Sequence, residues 1–257
     1  MNPHQILIAL WTLVVKEVRR FTRIWPQTLL PPSITMTMYF IIFGNLIGSR
    51  VGEMDGFSYM AYIVPGLIMM SVITNSYSNV ASSFFSNKFQ RSVEEMMVSP
   101  MPSWVILGGF VLGGMTRGLG VGLIVTLVSL FFTDLTIHHP LVTIGVVTMT
   151  AALFSIGGFI NALLANKFDD ISIVPIFVLT PLTYLGGVFY SIDMLPDFWQ
   201  GVSMVNPILY MVNAFRYGIL GVSDIPVGGA LVAVALFIVA FFAVALWMLE
   251  RGKGIRS

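Results

Sequence analysis

The chain is 257 residues long, 56% hydrophobic and only 10% charged, with a formal net charge of +1 and no cysteine. Soluble domains carry about 25% charged residues, so this composition belongs to an integral membrane protein, and no stretch outside the apolar runs is long enough for a separate soluble core. The near-neutral charge gives no field for a nucleic-acid partner, and the missing cysteine excludes disulfides, thiolate metal sites and cysteine nucleophiles.

Near the start, Leu7, Trp11, Val14, Val18, Phe21 and Trp25 recur at three- and four-residue spacing, with Lys16, Glu17, Arg19, Arg20 and Arg23 at the other positions. This predicts an interfacial helix over residues 1–26, serving as a basic anchor or as part of a coupling device. The apolar stretch 6–15 is too short to span and follows no basic residue, so no cleaved signal is expected. Pro26, Pro31 and Pro32 are expected to turn the chain into the membrane.

Runs of about 20 apolar residues predict six spans, near 28–48, 59–83, 104–132, 140–165, 171–190 and 227–249. Six spans put both ends on one side. Lys16, Arg19, Arg20, Arg23, Lys88, Arg91, Lys167, Arg251, Lys253 and Arg256 then share the face of the termini, against Arg50 and Arg216 on the other. The positive-inside rule places both termini in the cytoplasm.

In the second span Ser71, Thr74, Asn75, Ser78, Asn79 and Ser82 form a polar stripe that lines a conduit or bonds a neighbouring helix. Residues 84–102 follow. Phe85, Phe89, Val93 and Met96 or Met97 predict a short amphipathic helix, with Lys88, Arg91, Glu94 and Glu95 around it and Pro100 and Pro102 closing it. It either lies against the bilayer or fits a partner's groove. In the third span, Gly109 and Gly113, and Gly114, Gly118 and Gly122, have the small-xxx-small spacing of close helix packing. Arg117 lies too deep there to snorkel, and its reading stays open between an anionic substrate group, a counter-charge across a dimer and backbone carbonyls.

The fifth span holds Pro175 and Pro181 and is expected to kink. Beyond it, Leu195, Phe198, Val202 and Val205 form one short apolar face and Ile208, Val212, Phe215 and Ile219 another, separated by Asn206 and Pro207. These predict two half-length helices dipping into the outer leaflet, or two lying on its surface, within residues 191–226. Broken backbone at membrane depth occurs where it lines a cavity or pathway.

There is no G-x-x-x-x-G-K-[ST] loop, so any ATP must be handled by a partner. His138 and His139 lack the spacing and acidic third ligand of a zinc site, and no pair of intramembrane carboxylates suggests a proton relay.

Several segments together carry a resemblance over nearly the whole chain: RRFTRIWPQTLLPP, YIVPGLIMMSVI, EEMMVSPMP, FDDISIVPIFVLTPLTYLGGVFYS and LPDFWQGVSMVNPILYMVNAFRYGILG. On these the chain resembles the membrane subunits of ABC-2-type transporters, most nearly the short bacterial inner-membrane permeases, with polysaccharide and drug exporters as broader cousins. The resemblance implies one all-α transmembrane domain over 1–257, with an N-terminal elbow helix, a cytoplasmic coupling helix and outer re-entrant helices. It implies two copies of this subunit and two of a separate ATP-binding cassette ATPase, which uses the ATP and Mg; no cofactor is expected in this chain. Phe89, Arg91, Glu94, Glu95 and Met97 would couple to the ATPase, Ser71, Asn75, Ser78, Ser82 and Arg117 would border the pathway or an interface, and Pro196, Phe198, Trp199, Asn206, Pro207 and Arg216 would form the outer gate. A membrane scaffold for a peripheral ATPase and an ion-coupled transporter are the alternative functions.

Overall fold

A computed structural model describes residues 1–254, with Asn45 described by its backbone only. Arg256, one of the basic residues used for orientation, lies outside the described residues.

The N-terminal helix α1 (Pro3–Arg23) begins where Gln5 Oε1 accepts the Asn2 N–H at 3.0 Å, and ends at Ile24, whose ψ of 35° breaks the helix. The apolar chain then continues through α2 (Trp25–Tyr39), a π-helical stretch (Phe40–Ile47) and α3 (Gly48–Val51). The turn into this segment is made by Ile24. Pro26 sits in the first turn of α2, where its missing N–H costs nothing, while Pro31 and Pro32 lie inside a helix that continues past them instead of turning the chain.

A two-stranded hairpin, β1 (Glu53–Met54) and β2 (Phe57–Ser58), caps this end. Its loop is Asp55-Gly56, both at positive φ (52° and 79°), the pair a type I′ turn demands. Ser58 then accepts the Ala61 N–H at 3.3 Å and opens α4 (Tyr59–Phe89). Helix α4 is the axis of the fold, buried on most of its surface. The short α5 (Ser92–Val98) is set off from it by Arg91 in the left-handed region, φ 62°. Helices α6 (Ser103–Ser129) and α7 (Pro140–Leu164) pack directly on α4, and at the C-terminal end α12 (Val227–Glu250) packs on α7.

Among the described residues five helices are long and apolar enough to cross a membrane: Trp25–Val51, Tyr59–Phe89, Ser103–Ser129, Pro140–Leu164 and Val227–Glu250. The fifth expected span is different. It is an interrupted 15-residue segment, Asp170–Tyr184, made of α8 (Asp170–Val174), a π-helical turn (Pro175–Leu179) and α9 (Thr180–Tyr184). At about 1.5 Å per residue it covers only about 22 Å. The chain is non-helical from Leu185 onward, with Gly187 at φ 69° making a bend that other residues resist. A single 3-10 turn (Ile192–Met194) leads to α10 (Asp197–Met204) and α11 (Pro207–Leu220).

Contacts sort the chain into two ends. At one, Lys88 Nζ donates to the Leu163 carbonyl at 2.8 Å and Lys16 Nζ to Asn87 at 2.8 Å, so α1, α5 and the C-termini of α4 and α7 lie together. The chain after α12 returns to the same end, where a side chain on Gly254 would meet the Leu163 carbonyl. At the other, the His139 N–H donates to the Gly218 carbonyl at 2.8 Å, joining the start of α7 to the end of α11. One apolar cluster fills the half around Tyr62, Leu67 and Val212; a second, with the Phe84 ring tilted against Phe159 (4.2 Å) and edge-to-face with Phe110 (5.1 Å), fills the half around α5.

Candidate functional site

The polar stripe of α4 is two stripes on different faces. Ser71, Asn75, Asn79 and Ser83, spaced by four, are all buried. They receive charged groups from neighbouring helices: Arg117 Nη2 donates to Asn75 Oδ1 (3.3 Å), Arg20 Nη2 to Asn79 Oδ1 (2.8 Å), and Ser83 donates to Glu17 Oε2 (2.6 Å). Thr74, Ser78 and Ser82 face outward across a gap to the interrupted segment. Two clefts of about 270 and 110 Å³ lie there, with Ser172, Pro175, Thr180 and Thr183 on the far wall. Of the residues expected to border a pathway, Ser78 and Ser82 therefore line open space, whereas Ser71 and Asn75 serve helix packing.

The two glycine stripes of α6 divide between partners. A Cβ on Gly109 would meet Leu13, and one on Gly113 would meet Glu17, so that face holds α1; Gly114, Gly118 and Gly122 face Val80, Ser76 and Val72 of α4. Because Leu13 and Glu17 meet Gly109 and Gly113 in step, α1 and α6 run side by side in one direction there. Glu17, placed by spacing on the polar face of α1, is fully buried. Its signal was the glycine at the facing position, which is legible only once the two helices are paired.

On its other side the interrupted segment borders a cavity of about 400 Å³ walled by α7, α12 and Pro207, apolar except for Tyr77 and Asn161. The segment thus has open space on both flanks, and Ile176 and Phe177 remain exposed (59% and 72%).

The coupling candidates fall together at the α5 end. Phe89 is 66% exposed, Arg91, Glu94 and Glu95 are exposed, Met97 is half-buried and Val93 anchors the helix in the core. Phe168, from the connection after α7, packs on Phe85 (4.9 Å) and Phe89 (5.2 Å). A cleft of about 270 Å³ among Lys88, Phe89, Arg91, Glu94 and Asn166 opens beside them. At the segment's first turn, the N–H groups of Asn166 and Lys167 donate to Asp170 at 2.8 and 2.9 Å and hold its carboxyl below the usual carboxylate range.

The gate candidates are not brought together. Pro196, Phe198 and Trp199 lie exposed on α10, whereas Asn206, Pro207 and Arg216 belong to α11, which is buried nearly all round. Asn206 caps α11 by accepting the Ile208 N–H (3.0 Å) and ties it to the interrupted segment by donating to the Leu182 carbonyl (2.6 Å). Arg216 is fully buried: Nη2 donates to the Gly187 carbonyl (2.6 Å), the guanidinium lies 4.0 Å from the Tyr62 ring centroid, and Asp224 is 4.0 Å from Nη1. It is an internal staple, closed off from the surface on every side.

Among the described residues no cluster of side chains could hold a metal ion. The family model described as ABC-2 type transporter matches residues 8–220. The sequence is 58% identical over 254 residues, 99% of each chain, to the inner membrane transport permease YadH of Escherichia coli (strain K12), and equally to its namesake in Shigella flexneri. Nodulation protein J of Rhizobium leguminosarum bv. viciae is 25% identical over 219 residues, 83% of each chain.

Proposed function

The chain belongs to the ABC-2 type transporter family, and from that premise we propose that it is the membrane half of an exporter in the bacterial inner membrane, driven by a separate ATP-binding cassette ATPase. Two copies of this subunit enclose the pathway above two ATPases. The chain crosses the membrane six times with both termini in the cytoplasm, α1 as the elbow and α10 and α11 as the outer re-entrant pair.

The observation that carries this reading is the continuity of α4. One unbroken 31-residue helix has Phe89, joined to α5, at one end and Thr74, Ser78 and Ser82 facing the clefts along its length. Movement of α5 is therefore movement of a pathway wall. ATP binding closes the ATPases, α5 follows, and the gap between α4 and the interrupted segment changes width; the preference of ATP for the closed state supplies the bias. The permease relatives support the inner-membrane placement.

The test is the purified complex with its ATPase. Replacing Glu94, Glu95 and Met97 together by alanine should weaken retention of the ATPase and its permease-dependent hydrolysis by about tenfold, the scale of losing an interface hot spot, with insertion intact. Unchanged retention and hydrolysis reject the assignment of α5.

A further inference from the structure

Arg117 carries a charge that nothing nearby answers. It makes one hydrogen bond, to Asn75 at 3.3 Å, its Nε is buried without an acceptor, and among the described residues it forms no ion pair. The charged side chain beside it is Arg20, of the same sign, which bonds Asn79 one turn along α4 from Asn75. Arg20 is brought there by the side-by-side run of α1 and α6, which puts the turn after Glu17 level with the turn after Gly113. Lys16, Glu17, Arg20 and Arg117 then give three cations to one carboxylate, and that carboxylate already accepts from Ser83 and Arg20.

An arginine some 14 positions into a membrane-length helix is costly unless an anion or water meets it. The cluster is also open. Arg20 keeps 32% of its side chain exposed, Arg117 is only half-buried, and one turn further on a side chain at Gly120 would meet nothing within 4 Å. Free donors, excess positive charge and adjoining space coincide.

We propose that Arg117 and Arg20 together bind a phosphate group, whose oxygens match the guanidinium fork and neutralise the excess charge. In a membrane the nearest source is the headgroup of an anionic phospholipid; a free phosphate has the same chemistry. The site stands apart from the coupling assignment, since the ATPase measurements on α5 do not read it.

The experiment uses the full chain in detergent, with native mass spectrometry against phosphatidylglycerol, inorganic phosphate and diacylglycerol. Phosphatidylglycerol should be retained, diacylglycerol should not, and Arg117→Gln and Arg20→Gln should each weaken retention about tenfold, the worth of one charge-assisted contact. Displacement of the lipid by millimolar inorganic phosphate identifies the phosphate itself as the ligand, and resistance to displacement identifies the whole lipid. Equal retention of the two lipids, or unchanged retention in both variants, overturns the proposal. If the glutamine variants do not fold, arginine-selective modification of the unaltered protein decides: phosphatidylglycerol should protect Arg117 and Arg20 but not the exposed Arg19 and Arg23, and uniform reactivity overturns it.

Discussion

Arg216 shows what a single residue does in this fold. Its guanidinium joins the Gly187 bend, Tyr62 of α4 and Asp224 before α12, while Asp224 also accepts the Ile192 N–H at 3.1 Å. Arg216→Ala strips a buried carboxylate of its counter-charge and should cost about 3–5 kcal/mol, read as a large fall in thermal midpoint in detergent. Lysine should rescue little, because it neither forks onto a carbonyl nor stacks on a ring in the same way. A variant that melts like the parent would show the staple to be idle. Spacing and charge placed Arg216 on the correct end of the molecule but could not say whether it faces outward or inward, because Asp224, Tyr62 and Gly187 are far apart in the chain. Glycines make the complementary case. At Gly113 a Cβ collides with Glu17, so Gly113→Val should destabilise by about 1–3 kcal/mol, whereas Gly120→Val, facing open space, should pass almost unnoticed in the same melting assay.

At the scale of elements, α4 decides what is legible. Its length, its Ser58 cap and its polar composition are local properties, and the expected span and the observed helix coincide at their start. The expected end at residue 83 fell short of Phe89, because the polar residues after it read as loop and yet stay helical, with Lys88 reaching the α7 carbonyls. The single expected stripe separated into two because both series step by four but start three residues apart, which turns Thr74, Ser78 and Ser82 away from Ser71, Asn75 and Asn79; which side is wet depends on neighbours, not on α4. Since the chain has no native cysteine, the division can be tested directly. Ser78→Cys and Ser82→Cys should react with a water-soluble maleimide about tenfold faster than Ser71→Cys and Asn75→Cys, as thiol reactivity follows exposure. Equal rates along both stripes would remove the cleft from the pathway. The interrupted segment was legible as a kink through Pro175 and Pro181, but its early end at Tyr184 was not. The apolar run continues to residue 190, but the backbone bends at Gly187 (φ 69°) and its carbonyl is taken by Arg216 in place of a helical N–H.

For the whole molecule, the sidedness of charge can be checked against geometry. The start of α1, the chain after α12, α5 and the C-termini of α4 and α7 gather at one end, and that end holds Lys16, Lys88, Arg91, Lys167, Arg251 and Lys253, while Arg19, Arg20 and Arg23 follow along α1 beside α6. Basic residues are retained on the cytoplasmic side, so the bundle should sit with α5 toward the ATP pool and the α7–α11 junction outward. Alkaline phosphatase, which needs disulfides formed outside the cytoplasm, reports this. Fused after His138 or Val222 it should be active, and fused after Gln90 or at the C-terminus inactive. The opposite pattern would put Glu94 and Glu95 where no ATPase can reach them, and the mechanism built on α4 would fail at its first step. Activity after His138 and at the C-terminus, with none after Val222, would mean an odd number of crossings. In that case the interrupted segment would be a loop returning to its own side.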